Sequence, residues 1–513
     1  MADGLLNKAS IILTPTGYKA GTLYNVAPVV EPYEDFDFAR ASVASRVNSS
    51  GLVEMVGRSL GSELVTNGDF ATDSDWTLGT GWSIEDGVAK ATSAPFSASI
   101  YQSISTQTNK VYEVQIEIKN YSSGTLRVNN RGGYVDVPQS NGTHTIYLQT
   151  QSSSDNFLYL ESRGNLTASI DNVSVKEIID TNNIPRISYD SNGDNGHILL
   201  EPTSTNILEY SEDFSQWILQ DSASVSTESY TSPSGDNTAK LIDLSANSNA
   251  RLVENFGNNS TTYTLSFYLK KHQDDSDGTF PIGYYNGTDY IKTYVNLTNA
   301  WQRFSITFTN PSSGALGYGL TRRGTTSDET LTRCYAWGAQ LEQLSYATSY
   351  IPSLTGSTVT RATETATGAG SAELINSTEG VLYAVIAALA NAGTFRYISL
   401  IEDTSNYVQI YYKDDANKIA GIVRSSGNVS FIFTHTLTDA TNFIKVAIKY
   451  KQNDFALWVN GVEVGADTSG NAPIGLSELD FDFNGGNKFY GKCKALAVFN
   501  EALSDDELHN LTG

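Results

Sequence analysis

Two cassettes of one design recur in this chain: Asn67-Gly68-Asp69-Phe70 followed by Trp76, and Glu212-Asp213-Phe214-Ser215 followed by Trp217. Each opens a stretch of short alternating strands, so two similar sandwiches share one polypeptide. Residues 111–118 place Tyr112, Val114, Ile116 and Ile118 on one side and Glu113, Gln115 and Glu117 on the other, the period of a half-solvated antiparallel strand. Residues 263–270 repeat the pattern at the equivalent place in the second cassette, and residues 301–308 supply a further strand. Strands of this kind, separated by Asn/Gly/Ser clusters with hardly a helical period, predict an all-β chain of antiparallel β-sandwiches of the jelly-roll kind.

The chain has 513 residues, more than one core supports, so three or four modules are expected. Residues 381–385, 407–412, 443–450 and 455–464 form a meander of their own, in which Asn460-Gly461 predicts a two-residue hairpin because both turn residues tolerate φ > 0. Ser504-Asp505-Asp506-Glu507 predicts a capping box opening a short final helix. Against 33 Lys and Arg stand 56 Asp and Glu, a net charge of −23 that repels phosphate backbones and excludes nucleic acid as a partner. Neutral or cationic sugars and divalent metals suit such a surface. Cys334 and Cys493 sit in apolar, strand-like runs and read as buried free thiols. No run approaches the ~18 apolar residues of a membrane span, and the first residues lack a basic start followed by an apolar core. The expectation is a protein made in a bacterial cytoplasm, not inserted in a membrane, and released by lysis.

Three resemblances attach to particular residues. The segment from Phe36 to Glu54, with Ile184-Pro185-Arg186-Ile187, the run from Leu199 to Asn206 and Ala336-Trp337-Gly338-Ala339-Gln340-Leu341-Glu342, resembles a module of bacteriophage structural and tail-fibre proteins. In that module the Gly51-Leu52-Val53-Glu54 element runs almost directly into Ile-Pro-Arg-Ile, whereas here about Glu63 to Ile178 intervene, which implies an inserted domain. The ends of the insert, Glu63 to Phe70 and Ser169 to Val175, resemble carbohydrate-binding modules of the jelly-roll type, whose adjacent first and last strands make insertion cheap. The run from Gly491 to Leu508, with Leu457-Trp458-Val459-Asn460-Gly461, is similar to concanavalin-A/laminin-G-like sandwiches. The resulting division is residues 1–62 as an extended, virion-docking region, 63–178 as the inserted jelly roll and 179–206 as a connector. Residues 207–354 form a second jelly roll, and 355–513 the concanavalin-A/laminin-G-like sandwich.

Sugar recognition by a sandwich uses flat rings that stack on a pyranose, together with amide or carboxylate groups for its hydroxyls. Trp76, Trp82, Tyr101, Tyr121 and Tyr134 are the candidate rings of the insert. Each has a core or edge role as its alternative, Trp76 above all, because that position is often core in the family. Jelly-roll modules of this type often hold a structural calcium near the joined strands, and by that resemblance Asn67, Asp69 and Asp171 are its candidate ligands; the alternative is that they cap turns. In the second cassette Gln340 stands where the first has Asp171. Residues 273–278 lack the ligand spacing of an EF-hand and read as a solvated hairpin loop. His144, His197, His272, His435 and His509 are scattered one to a region, and neither H-E-x-x-H nor G-x-S-x-G occurs, so no catalytic residue is assigned.

These features lead to a phage virion component, a tail or head fibre that docks on other virion proteins and projects sandwiches that bind host surface glycans. Weak single sites then call for avidity and a homo-oligomer, and fibres of this class are commonly trimers. The alternatives are a non-adhesive decoration protein of the particle, a polysaccharide-degrading enzyme, and a bacterial surface adhesin. Residues 23–30, rich in Val, Pro and Tyr, suit docking by strand addition.

Overall fold

The computed structural model describes residues 4–27, 34–255, 260–309, 317–325, 327–391 and 393–513. The chain divides into two compact units, one of residues 58–180 and 205–359 and the other of residues 1–57, 181–204 and 360–513. Both are built of antiparallel sheets, and Asp505–Thr512 is the α-helix among the described residues. The all-β expectation holds.

In the first unit the repeat extends to strand order. In residues 58–180 one sheet runs Gly142–Gln149, Val111–Ser123, Leu166–Asp180, Val88–Ala94, Trp82–Glu85, with Arg58–Glu63 also pairing on Leu166–Asp180. The facing sheet runs Gly133–Asp136, Leu126–Asn130, Phe157–Ser162, Ser99–Ser103, Thr77–Leu78. In residues 205–359 the equivalent orders are Gln302–Thr309, Thr262–Lys271, Arg333–Glu342, Lys240–Asp243, Ser224–Val225 and Tyr290–Leu297, Gly278–Tyr285, Tyr318–Thr321, Arg251–Glu254, Ile218–Gln220. Even a register irregularity recurs, between Gln115 and Glu117 in one sandwich and between Ser266 and Tyr268 in the other. The alternation of residues 111–118 sends Tyr112, Val114, Ile116 and Ile118 into the first core. In the second sandwich Thr264 and Ser266 are buried as well, because the chain after Glu342 returns across that face. There Thr264 donates to the Leu344 carbonyl, and the Gln340 amide donates to those of Thr348 and Ser349.

The second unit contains the C-terminal sandwich, but not alone. Ala9–Leu13 is buried throughout, so its Ile11, Ile12 and Leu13 need cover on both faces. They find it by pairing with Gly491–Phe499, in the register Ile11 to Val498 and Leu13 to Leu496, while His197–Leu200 takes the other half of the same strand. Strands from within residues 1–62, expected as an extended virion-docking region, and from 179–206, expected as a connector, thus take part in the sheet of the C-terminal sandwich. Of residues 23–30, expected to suit strand addition, Leu23 pairs with Tyr18 and Phe36 in the chain's own sheet, and Pro28, Val29 and Val30 lie outside the described residues. Asn460 and Gly461 turn the expected hairpin with φ of 47° and 80°. Ser504 and Glu507 make the expected reciprocal cap.

Sequence-distant segments of this unit meet around one buried polar cluster. Arg40, Arg186 and Arg361 surround Glu201 and Glu364, all five almost wholly excluded from solvent. Arg40 Nη1 lies 2.6 Å from Glu364 Oε1, Arg186 Nη2 2.8 Å from Glu201 Oε2 and Arg361 Nη1 2.7 Å from Glu201 Oε2, and Arg186 also donates to both oxygens of Glu364. Charges this deep persist only when matched and hydrogen-bonded. The cluster therefore requires three sequence-distant segments to arrive together.

Candidate functional site

The site is built on the outer face of the five-stranded sheet of residues 58–180. Along Phe157–Ser162, Leu158 and Leu160 point into the core, so Phe157, Tyr159 and Glu161 point out. Pairing carries the face across the sheet: Thr77 lies opposite Tyr101, Tyr101 opposite Tyr159, Tyr159 opposite Asn129 and Asn129 opposite Tyr134. Four strands carry Tyr101 to Tyr134, so the row spans about 14 Å at the usual strand spacing. A second row two residues along reads Ser99, Glu161, Arg127, Asp136.

The rings form a platform. Tyr101 and Tyr159 have centroids 5.3 Å apart, and Phe157 stands edge-on to Tyr101 at 5.5 Å. At the far end Tyr134 is 60% exposed under the Arg127 guanidinium, 4.0 Å from its ring centre. Arg127 is fixed by a bidentate pair with Asp136, at 2.6 and 3.0 Å. Glu161 is held by Arg163 at 2.8 Å, and Arg163 in turn lies over Phe96. Burial, reinforced by Asp155, pushes the Tyr159 hydroxyl above its ordinary range, so it stays protonated and able to donate. Stacking surface beside fixed donors and acceptors is what a sugar ring with equatorial hydroxyls needs.

Of the five rings expected from sequence, the structure brings Tyr101 and Tyr134 to this face. Trp76 and Trp82 are corrected: both are core residues at 6% exposure. Trp76 packs on Phe70 and donates to the Asn67 carbonyl at 3.0 Å; Trp82 faces the core opposite Ala91. Tyr121 is on the other sheet, its ring against the core and its hydroxyl donating to the Gly124 carbonyl at 2.8 Å. The residues sequence reasoning missed are Phe157, Tyr159, Glu161, Arg127 and Asn129. The strict alternation of Phe157-Leu158-Tyr159-Leu160-Glu161 was the available signal.

The calcium candidates lie on two adjoining segments, joined where the Val173 N–H donates to the Gly68 carbonyl at 2.8 Å. The Asn67 amide donates to the carbonyls of Thr72 and Ser74, a loop-closing role, while Asp69 is exposed and Asp171 is matched by the Lys119 ammonium at 2.8 Å. Among the described residues no group of three or more His, Cys, Asp or Glu could hold a metal.

Two other faces differ in kind. The equivalent face of the second sandwich has Gly283 and Gly319 in register at its centre, beside a Lys292 side chain that is wholly buried 3.6 Å from Glu329. In the C-terminal sandwich Tyr397 stacks on Tyr411 at 4.7 Å and Phe483 meets Tyr407 edge to face at 5.0 Å, so those rings pack on one another.

No family model matches the chain, and no curated protein does. Similar solved structures include the CBM40 module of the Ruminococcus gnavus IT-sialidase bound to α2,3 sialyllactose, at 17% identity and a TM-score of 0.24, over 29% of this chain and 94% of that one. Domain 4 of AbnA, a GH43 arabinanase from Geobacillus stearothermophilus in complex with arabinotriose, matches at 12% and 0.25, over 29% and 73%. The CBM22-1-CBM22-2 tandem of Paenibacillus barcinonensis Xyn10C matches at 13% and 0.21, over 55% and 98%. The CBM40 and CBM22 neighbours are carbohydrate-binding modules with β-sandwich folds.

Proposed function

We propose that this chain binds cell-surface glycans, without cleaving them, through the outer face of its inserted sandwich, as an adhesive appendage of a phage particle. The observation that carries the glycan reading is the row Tyr101, Tyr159, Asn129, Tyr134, set beside the fixed charges of Glu161, Arg127 and Asp136. The phage reading is supported by residue order: Arg40, Arg186 and Glu201, which lie in or beside the quoted phage-like motifs, are gathered with Glu364 in one cluster. A single open face holds a sugar weakly, so repeated copies, a trimer in fibres of this class, supply the avidity.

A second reading, decoration of the particle through protein contact, is favoured by the apolar side chains of the C-terminal sandwich that face solvent: Val429, Ile432, Phe433 and Val462.

The test uses the insert's own geometry. Thr181 donates to the Gly57 carbonyl at 2.6 Å, so excising residues 58–180 joins ends that already touch. Fluorescently labelled intact protein should bind host cells and the excised chain should not; equal binding by both would move recognition elsewhere in the molecule.

A further inference from the structure

The unit of residues 58–180 and 205–359 encloses a cleft of about 480 Å³ between its two sandwiches. That is within the usual range for small-molecule sites. One wall is apolar, with Val135, Val137, Pro138 and Ile146; the tyrosines Tyr147 and Tyr210 also line the cleft, and the polar residues come mainly from the second sandwich.

The polar wall has an uneven charge balance. Glu212 lines the cleft, its Oε1 accepting the Tyr350 hydroxyl at 2.8 Å and its carboxylate also held by the Thr238 and Trp337 side chains. Beside it Thr238 is fixed by the Trp337 indole N–H at 2.7 Å. The cation at the same wall, Lys240, is already committed, donating to the Thr227 carbonyl at 3.2 Å and to Ser229 Oγ at 2.9 Å and lying near Asp213. His144 lies 2.8 Å from the Ser140 carbonyl and is kept neutral by burial. The ionisable group that acts on Glu212 through its charge is Asp236, and Tyr147 nearby feels Glu212, Glu113 and Asp236 against Arg58. Burial first, then Asp236, push Glu212 up to about 7. A positive group arriving in the cleft would relieve both effects, whereas an anion would meet the same field as repulsion. Phosphorylated and carboxylated ligands are disfavoured by this wall.

We propose that the cleft binds a cationic amino sugar, its ammonium at Glu212 and its ring against Tyr147 and Tyr210. Asp136 stands on the outer face and also lines the cleft, so the two sites are neighbours, but the cleft is argued from its own walls and does not depend on the face. Rings of this type supply apolar contact and hydroxyl partners together.

Isothermal titration of the full chain with glucosamine at neutral pH tests it, with N-acetylglucosamine as a comparator of similar shape and no charge. Glucosamine should bind at least about fivefold more tightly than N-acetylglucosamine, and Glu212→Gln should weaken glucosamine by a similar factor. Tyr159→Ala should leave this binding unchanged, which separates failure of the cleft from failure of the outer face. The wild-type comparison stands even if Glu212→Gln does not fold. Equal affinity for the two sugars, or no heat at millimolar glucosamine, would overturn the proposal.

Discussion

Glu364→Gln is expected to destabilise the unit of residues 1–57, 181–204 and 360–513 by about 3–5 kcal/mol, the usual cost of removing one partner from a buried ionic cluster. Its two oxygens serve Arg40 and Arg186 at zero exposure. The cluster has three guanidiniums against two carboxylates, so the substitution leaves Glu201 facing all three. Water cannot compensate where every side chain is sealed. Denaturant unfolding of the variant beside the wild type measures the loss. A cost below about 1 kcal/mol, the range of exposed pairs, would mean that solvent reaches the cluster.

Trp82→Ala is expected to cost the inserted sandwich about 3–5 kcal/mol, as large-to-small substitutions of buried aromatic residues do. The ring is 6% exposed and packs in a core with Trp76 and Phe70. Tyr134→Ala, removing a ring that is 60% exposed, should change stability by no more than about 0.5 kcal/mol. Thermal unfolding of the pair decides between a structural and a ligand-facing indole. Comparable, small losses in both would return Trp82 to the surface.

These contrasts show what the sequence made legible. Period-two alternation placed residues 111–118, the Asn-Gly pair the hairpin at Asn460-Gly461 and the Ser-x-x-Glu spacing the Ser504 cap, because each is a local signal. The repeated cassette predicted two sandwiches, and their strand orders match. Which aromatic residue faces outward was not legible, since it depends on which strand pairs with which. Tyr101 gains its partner Tyr159 from a strand more than fifty residues away. Trp82 and Tyr101 look alike in sequence, yet one lies opposite Ala91 over the core and the other opposite Tyr159 on the surface. The N-terminal strand was hidden for the same reason: Ala9–Leu13 finds its partner at the far end of the chain. The ion pair that Lys119, a residue outside the motif, makes with Asp171 of the expected calcium set was not legible either, since it too depends on strand pairing.

The outer face of the inserted sandwich is tested most directly by presenting the full chain and its Tyr101→Ala/Tyr159→Ala double variant to an array of bacterial surface glycans. Removing two stacking rings, each worth about 0.5–1.5 kcal/mol, should lower affinity for the bound glycans about fivefold to more than a hundredfold, with the melting temperature nearly unchanged. Undiminished binding by a folded double variant would contradict the assignment of recognition to this face.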